Sequence, residues 1–274
     1  MRDPCPDKNG SGSAQFWERR LEEWDAMFSE TLDPTRLGRM DAILDALRSR
    51  SRSLSRVLDL GSGPGPLTSR ILRRFPKCRV VALDTDPVLL EVGKRALARF
   101  GRRVSWVLAD LRETGWPSGL PVQRYDAVVS SLSLHWLEED EIRGIYREAR
   151  KLLRSDGLLV EGDFLPSDRT KRPVGRQRLP TEELRVKERA DATLRAFKER
   201  WGVWWRSLTE LSTMRVALRR RKSRLPGTIP PRRTTGPKTP ASFEFHEQAL
   251  RGAGFRETAV VWQERDFRVL IGNR

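Results

Sequence analysis

Val57-Leu58-Asp59-Leu60 is a short, branched apolar run halted by Gly61-Ser62-Gly63-Pro64-Gly65. Its composition reads as a buried strand, and the glycines behind it as a loop. Beyond the loop the apolar segments alternate in type. Leu67, Ile71, Leu72 and Phe75 have helical spacing, residues 79–83 read as a strand, 88–100 as a helix and 104–109 as a strand. A strand at 127–130, a helix carrying Ile142, Ile145, Tyr146, Ala149 and Leu152, and a strand at 158–160 continue the series. Strand, helix, strand, helix builds a parallel sheet, and right-handed crossovers make it a doubly wound α/β sheet.

Two amphipathic helices precede the first strand, one on Phe16, Leu21, Trp24 and Phe28, the other on Met40, Ile43, Leu44 and Leu47. Near the other end, a helix over 243–253 stops at Gly254. The β-rich runs 259–262 and 267–271 then flank a polar turn, so the last strand is expected to be antiparallel. Residues 166–240 break the alternation, with prolines framing one helical stretch over 182–222. The expected organisation is a helical cap over 1–50, a sheet domain over 51–165 and 241–274, and an inserted basic helical lid over 166–240.

Charge enters through that insertion. The chain has 274 residues and a formal charge of +16, which on its own points to an anionic partner such as nucleic acid. Residues 1–165 hold 27 basic and 25 acidic side chains, 166–240 hold 21 and 7, and 241–274 hold 5 and 5. The sheet is close to neutral and the excess belongs to the insertion. Two cysteines and two histidines supply neither a disulfide framework nor a zinc cluster, so no metal is expected. No apolar run approaches the roughly 18 residues of a membrane span, and the start lacks a signal-peptide core. The expected setting is soluble and cytoplasmic, with no membrane partner.

A glycine loop between the first strand and first helix of such a sheet lets a ligand approach the backbone at the switch-point crevice. Pro66 stands where a dinucleotide fingerprint wants Gly or Ala. Asp59 sits two residues before Gly61, where a carboxylate repels a pyrophosphate and suits an ammonium group. Asp84 ends the second strand, placed to accept both hydroxyls of a ribose, and Asp110 follows the third, where it could accept from an adenine amino group. Three acids at three successive strand ends, taken with the loop, point to a ligand with a cationic amino group, a ribose and a base.

The ordered runs VLDLGSGPG (57–65), VVALDTDP (80–87), VLADL (107–111), YDAVVSSLSLHWL (125–137) and LLRSDGLLVEG (152–162) resemble the motif series of class I S-adenosylmethionine-dependent methyltransferases. They are most similar to its small-molecule branch of trans-aconitate and malonyl-carrier-protein methyltransferases. The resemblance implies a seven-stranded, mostly parallel, Rossmann-like sheet with an antiparallel last strand, and S-adenosylmethionine as cofactor. Carried over, Asp59, Gly61 and Gly63 would hold the methionine moiety, Asp84 the ribose, and Asp110 with Leu111 the adenine, with Gly65, Thr85 and Ser130 as further cofactor-binding residues.

Methyl transfer from a sulfonium needs positioning more than a base. The catalytic candidate is His135, whose neutral imidazole could take a proton from a hydroxyl or carboxylic acid; packing is the alternative role. After the fourth strand stands Ser130-Ser131-Leu132-Ser133, not the Asn/Asp-Pro-Pro-aromatic signature of base-amino methyltransferases. Neither Cys5 nor Cys78 falls at a strand end fit for cytosine-C5 chemistry. Trp136, Trp201 and Trp205 are candidate acceptor contacts, the latter two on one aromatic helical face with Phe197, Trp204 and Leu208. Two functions follow. One is methylation of a small acceptor, with O-methylation of a carboxylic acid or hydroxyl favoured, including an anionic or carrier-bound one. The other is an RNA-associated methyltransferase, or a nucleic-acid-binding protein, using Arg219–Lys222 and Arg232-Arg233 as a backbone clamp.

Overall fold

A computed structural model describes residues 12–50, 54–122, 124–167, 180–225, 227 and 240–274; of 50 and 180–190 only the backbone is described. Helices α1 (Ala14–Met27) and α2 (Arg36–Arg50) flank a π-helical turn, Phe28–Leu32. Then come β1 (Arg56–Leu60), α3 (Pro66–Arg74), β2 (Arg79–Asp84), α4 (Pro87–Ala96), β3 (Val104–Leu108), β4 (Tyr125–Ser131), α5 (Glu139–Leu152) and β5 (Leu153–Phe164). The insertion contributes α6 (Pro180–Thr209) and α7 (Arg215–Arg224), and α8 (Phe243–Gly252), β6 (Glu257–Glu264) and β7 (Phe267–Asn273) close the described chain.

The seven strands lie in the order β3-β2-β1-β4-β5-β7-β6. β1 to β5 pair in parallel, and β7 runs antiparallel between β5 and β6. The order reverses between β1 and β4, which opens the switch-point crevice at their C-terminal ends. One core packs α1 to α4, α6 and α7 on one sheet face; the other packs α5 and α8 on the opposite face. The spacing read from the sequence is realised in both, with Ile142, Ile145, Tyr146, Ala149 and Leu152 of α5 all buried.

Two expectations need correction. The helix foreseen over 88–100 ends at Ala96 and relaxes into a 3-10 segment in which Gly101 adopts φ +54°. The single stretch over 182–222 breaks at Leu211, which is extended (φ −84°, ψ 124°). The break lets α7 fold back on α4 while Leu208, Leu211 and Met214 stay buried at the corner.

Candidate active site

The glycine loop is built from backbone that only glycine adopts freely: φ is +66° at Gly61, +56° at Gly63 and +89° at Gly65. At Gly61 space matters as well, because a Cβ there would overlap the Ser133 hydroxyl reaching across from the β4 end. Gly63 faces open room, its nearest potential contact being Trp24 at 3.9 Å. Two carboxylates hold this shape. Asp84 Oδ2 accepts the Gly63 N–H (2.7 Å) and its Oδ1 the Asp86 N–H (2.8 Å). Asp59, 1% exposed, accepts from the Thr68 hydroxyl on α3 (2.6 Å).

Desolvation raises both acids. Burial lifts Asp59 to about 7 against the pull of Thr68, with the Asp84 charge adding to it. Burial lifts Asp84 to about 6, with Asp86 assisting and the N–H donors opposing. Asp84 is half-buried and keeps acceptor capacity toward the crevice. Asp59 is enclosed beneath the loop, so the ammonium contact expected of it becomes a supporting role through Thr68 and α3.

The other strand-end residues divide similarly. Asp110 is gripped by Arg112 (Nη2 to Oδ2, 2.6 Å), which with the Arg112 N–H outweighs burial and holds its carboxyl below the ordinary range. Leu111 and Thr85 are half-buried beside it and beside Asp84. Ser130 is 3% exposed and donates to the Leu60 carbonyl (3.2 Å), tying β4 to β1. Cys78 is buried at the start of β2, the end away from the crevice, and burial pushes its thiol up to about 12.

At the β4 and β5 ends the structure brings together a pair that the sequence did not reveal. His135 Nδ1 lies 2.6 Å from Asp163 Oδ1. Asp163 Oδ2 accepts the N–H groups of Ser133 (3.1 Å), Leu134 (3.0 Å) and His135 (3.3 Å), and Oδ1 accepts that of Phe164 (2.7 Å). One fully buried carboxylate thus shapes the turn that carries His135 and aims its ring. Burial alone would raise Asp163, but His135, the Phe164 N–H and Arg39 together hold it below its ordinary value. A tautomer with Nδ1–H directed at the carboxylate would leave Nε2 as the proton acceptor. Trp136 leans on this ring, centroids 4.9 Å apart. Arg39, also unforeseen, is fully buried, ion-paired to Asp33 (2.5 Å) and stacked over Phe267.

The aromatic face of α6 seats against α1. Trp24 meets Trp201 (5.0 Å) and Trp204 (4.9 Å), and Phe28 meets Phe197 (5.3 Å). Trp205 is completely buried among Trp201, Trp204 and Arg221, so its expected contact with an acceptor is replaced by core packing. Trp201 is half-buried in the same cluster. The expected arginine clamp is altered too. Arg221 is 5% exposed, paired to Asp86 at 2.7 Å, and fastens α7 over the start of α4. Arg219, Arg220 and Lys222 are exposed, while Arg232 and Arg233 lie outside the described residues.

Residues 57–157 match the family model described as a methyltransferase domain. This segment is a methyltransferase domain. The chain is 30% identical over 125 residues to a malonyl-[acyl-carrier protein] O-methyltransferase of Acetivibrio thermocellus, covering 45% of this chain and 41% of that protein. It is 33% identical over 104 residues to a trans-aconitate 2-methyltransferase of Azoarcus, covering 38% and 37%. The chain therefore spans less than half the length of these two curated relatives. Among solved structures, an O-methyltransferase family protein from Burkholderia thailandensis superposes with a TM-score of 0.55 at 16% identity, covering 93% of this chain and 61% of that one. Human N-acetylserotonin methyltransferase, solved with its methyl donor, gives 0.54 at 10% identity, covering 96% and 57%. Both share the fold. The matched segment includes the glycine loop, Asp84, Asp110 and His135, and the match ends before Asp163. No helix among the described residues is long and apolar enough to cross a membrane.

Proposed function

We propose that the chain transfers a methyl group from S-adenosylmethionine to a small-molecule acceptor, favouring an oxygen of a carboxylic acid or hydroxyl. The crevice suits the donor: Gly63 leaves room that a Cβ would take up, and Asp84 presents a half-buried carboxylate whose desolvation a ribose diol would relieve. Asp84 with Thr85 would hold the ribose, the loop Gly61 to Gly65 the methionine moiety, and Asp110 with Leu111 the adenine side. When bound, the donor supplies an activated methyl for in-line displacement. The chain's own residues do the rest. Trp24, carried by α1 above Gly63, shields the crevice from water, and α6 packed on α1 keeps it there. For a hydroxyl acceptor His135 Nε2 would take the proton, with Asp163 fixing the tautomer and stabilising the imidazolium that forms; a carboxylate acceptor carries no proton, and His135 would then only orient it.

The observation that carries this reading is the His135–Asp163 pair at the strand edge that also holds the Asp84-latched glycine loop. The relatives' printed acceptors, a carrier-bound malonyl group and trans-aconitate, support an acidic oxygen acceptor. Arg221, engaged with Asp86, is withdrawn from the RNA-clamp alternative, whereas Arg219, Arg220 and Lys222 stay exposed. The test is a labelled-donor screen across carboxylic acids, phenols, carrier proteins and tRNA, followed by His135→Ala on the best acceptor. Transfer is expected to fall by roughly 10²–10⁴-fold with donor affinity unchanged. Unchanged turnover would reduce His135 to packing.

A further inference from the structure

At the opposite end of the sheet from the glycine loop, five arginines converge. Arg124 precedes β4, Arg150 ends α5, Arg154 lies at the start of β5, Arg256 precedes β6 and Arg274 follows β7. They line a cleft of about 570 Å³ whose lining contains one acidic side chain, Asp156. The length of β4, roughly 20 Å, separates this cleft from the candidate active site.

The charges there are poorly answered. Arg154 is paired with Asp126 at 2.6 Å. Arg150 donates to the Gly254 carbonyl (2.7 Å) and Arg274 to the Leu153 carbonyl, contacts that fix the guanidinium groups in place and leave their charge intact. Among the described residues, Arg124 and Arg256 have no side-chain partner and are exposed. Among the described residues, Arg154 is thus the one of the five with an ion-pair partner. Desolvation, then Arg124 and Arg150, lowers Arg274 below the usual guanidinium range, as expected where like charges crowd together.

Helix C-termini explain a cation or two at this edge of a doubly wound sheet. They do not explain five drawn from separate chain segments into one concavity. Guanidinium groups held by backbone carbonyls are pre-organised forks, the geometry that grips phosphate oxygens in pairs. An extended nucleic acid would need a continuous basic stripe, whereas this cluster is confined to one cleft.

We propose that the cleft is a binding site for a compact oligophosphate, free or as the phosphate tail of a small molecule, separate from the methyl-transfer site and independent of that function.

The experiment is calorimetric titration of the full chain with sodium tripolyphosphate, with sodium chloride matched for ionic strength as the control. Wild type is compared with the charge-reversed pair Arg124→Glu and Arg256→Glu, residues whose side chains support no packing. Saturable binding, weakened at least about tenfold in the double variant, is expected. The double variant should also melt no lower than wild type, because reversal relieves repulsion; this shows that the fold is kept. Absence of saturable heat, or equal affinity in the two proteins, would overturn the proposal. So would a short single-stranded oligonucleotide that binds more tightly than tripolyphosphate through the same two arginines, which would make the ligand an extended polyanion.

Discussion

Replacing Asp163 by Asn changes one buried atom and removes one charge, yet it acts on five hydrogen bonds at once. The amide oxygen can keep the N–H groups of Ser133, Leu134 and His135 that Oδ2 now accepts. The amide NH₂ must then sit where Oδ1 accepts from Phe164 at 2.7 Å and faces His135 Nδ1 at 2.6 Å. Phe164 loses its acceptor, at about 1–3 kcal/mol for a buried donor, and the charged bond to the imidazole is lost as well. A total of about 3 kcal/mol corresponds to a melting shift of roughly 6–12 °C for a chain of this size. The chemical effect is larger than the thermal one. An NH₂ group facing Nδ1 forces the ring proton onto Nε2, the atom assigned to receive the acceptor proton. The chain has only two histidines, so the imidazole ¹⁵N spectrum is simple, and His246→Gln assigns it. Wild type is expected to show His135 protonated at Nδ1, and Asp163→Asn at Nε2, with transfer down by roughly 10³–10⁴-fold. Because the folded Asp163 carboxyl lies below its ordinary value near ~3.9, its contribution is present above that pH and disappears as pH falls through the folded value. The stability gap between the two proteins should therefore hold from neutral pH to about 4 and close below it. An unchanged tautomer with unchanged stability would show that Asp163 does not orient the ring.

The glycine loop makes a paired prediction in thermal denaturation. Gly61→Ala forces a Cβ into Ser133 at φ +66° and should cost roughly 2–4 kcal/mol, while Gly63→Ala, with open space around it, should cost only about 1 kcal/mol of backbone strain. Equal losses would mean that Ser133 does not close over Gly61. On the other sheet face, His246 is fully buried beside Glu161, with Tyr146 bridging them. Burial opposes its protonation, but Glu161 outweighs burial and raises His246 above the ordinary value. Its stabilisation is thus complete below about pH 6.5 and lost as pH rises through the folded value. Urea unfolding should show wild type weakening across that window and His246→Gln failing to do so; parallel profiles would refute the assignment.

Periodicity carried most of the fold. The halted run Val57 to Leu60, the alternation behind it and the terminal hairpin all took their expected places, because short buried strands and amphipathic helices leave strong local signals. The break at Leu211 was not legible, since a tertiary demand, folding α7 onto α4, overrides helical propensity there. At the candidate site, the glycine turn was legible because residues 61–65 lie in one strand–loop unit, and the position of Asp84 because it closes the second strand. Asp163 was not, because its partner lies 28 residues away on a neighbouring strand. Two acids, Glu161 and Asp163, closing the apolar run that begins at Leu158 were the signal available. Arg221 misled for the converse reason: within a basic run nothing marks the one arginine that turns inward to Asp86.

Donor binding bears on the whole account, and isothermal titration with S-adenosylhomocysteine measures it without knowledge of the acceptor. One site per chain is expected. Asp84→Ala, by removing two charge-assisted ribose bonds of about 1.5 kcal/mol each, should weaken it roughly hundredfold. No binding, or an affinity indifferent to Asp84→Ala, would contradict the assignment of the crevice to a methyl donor.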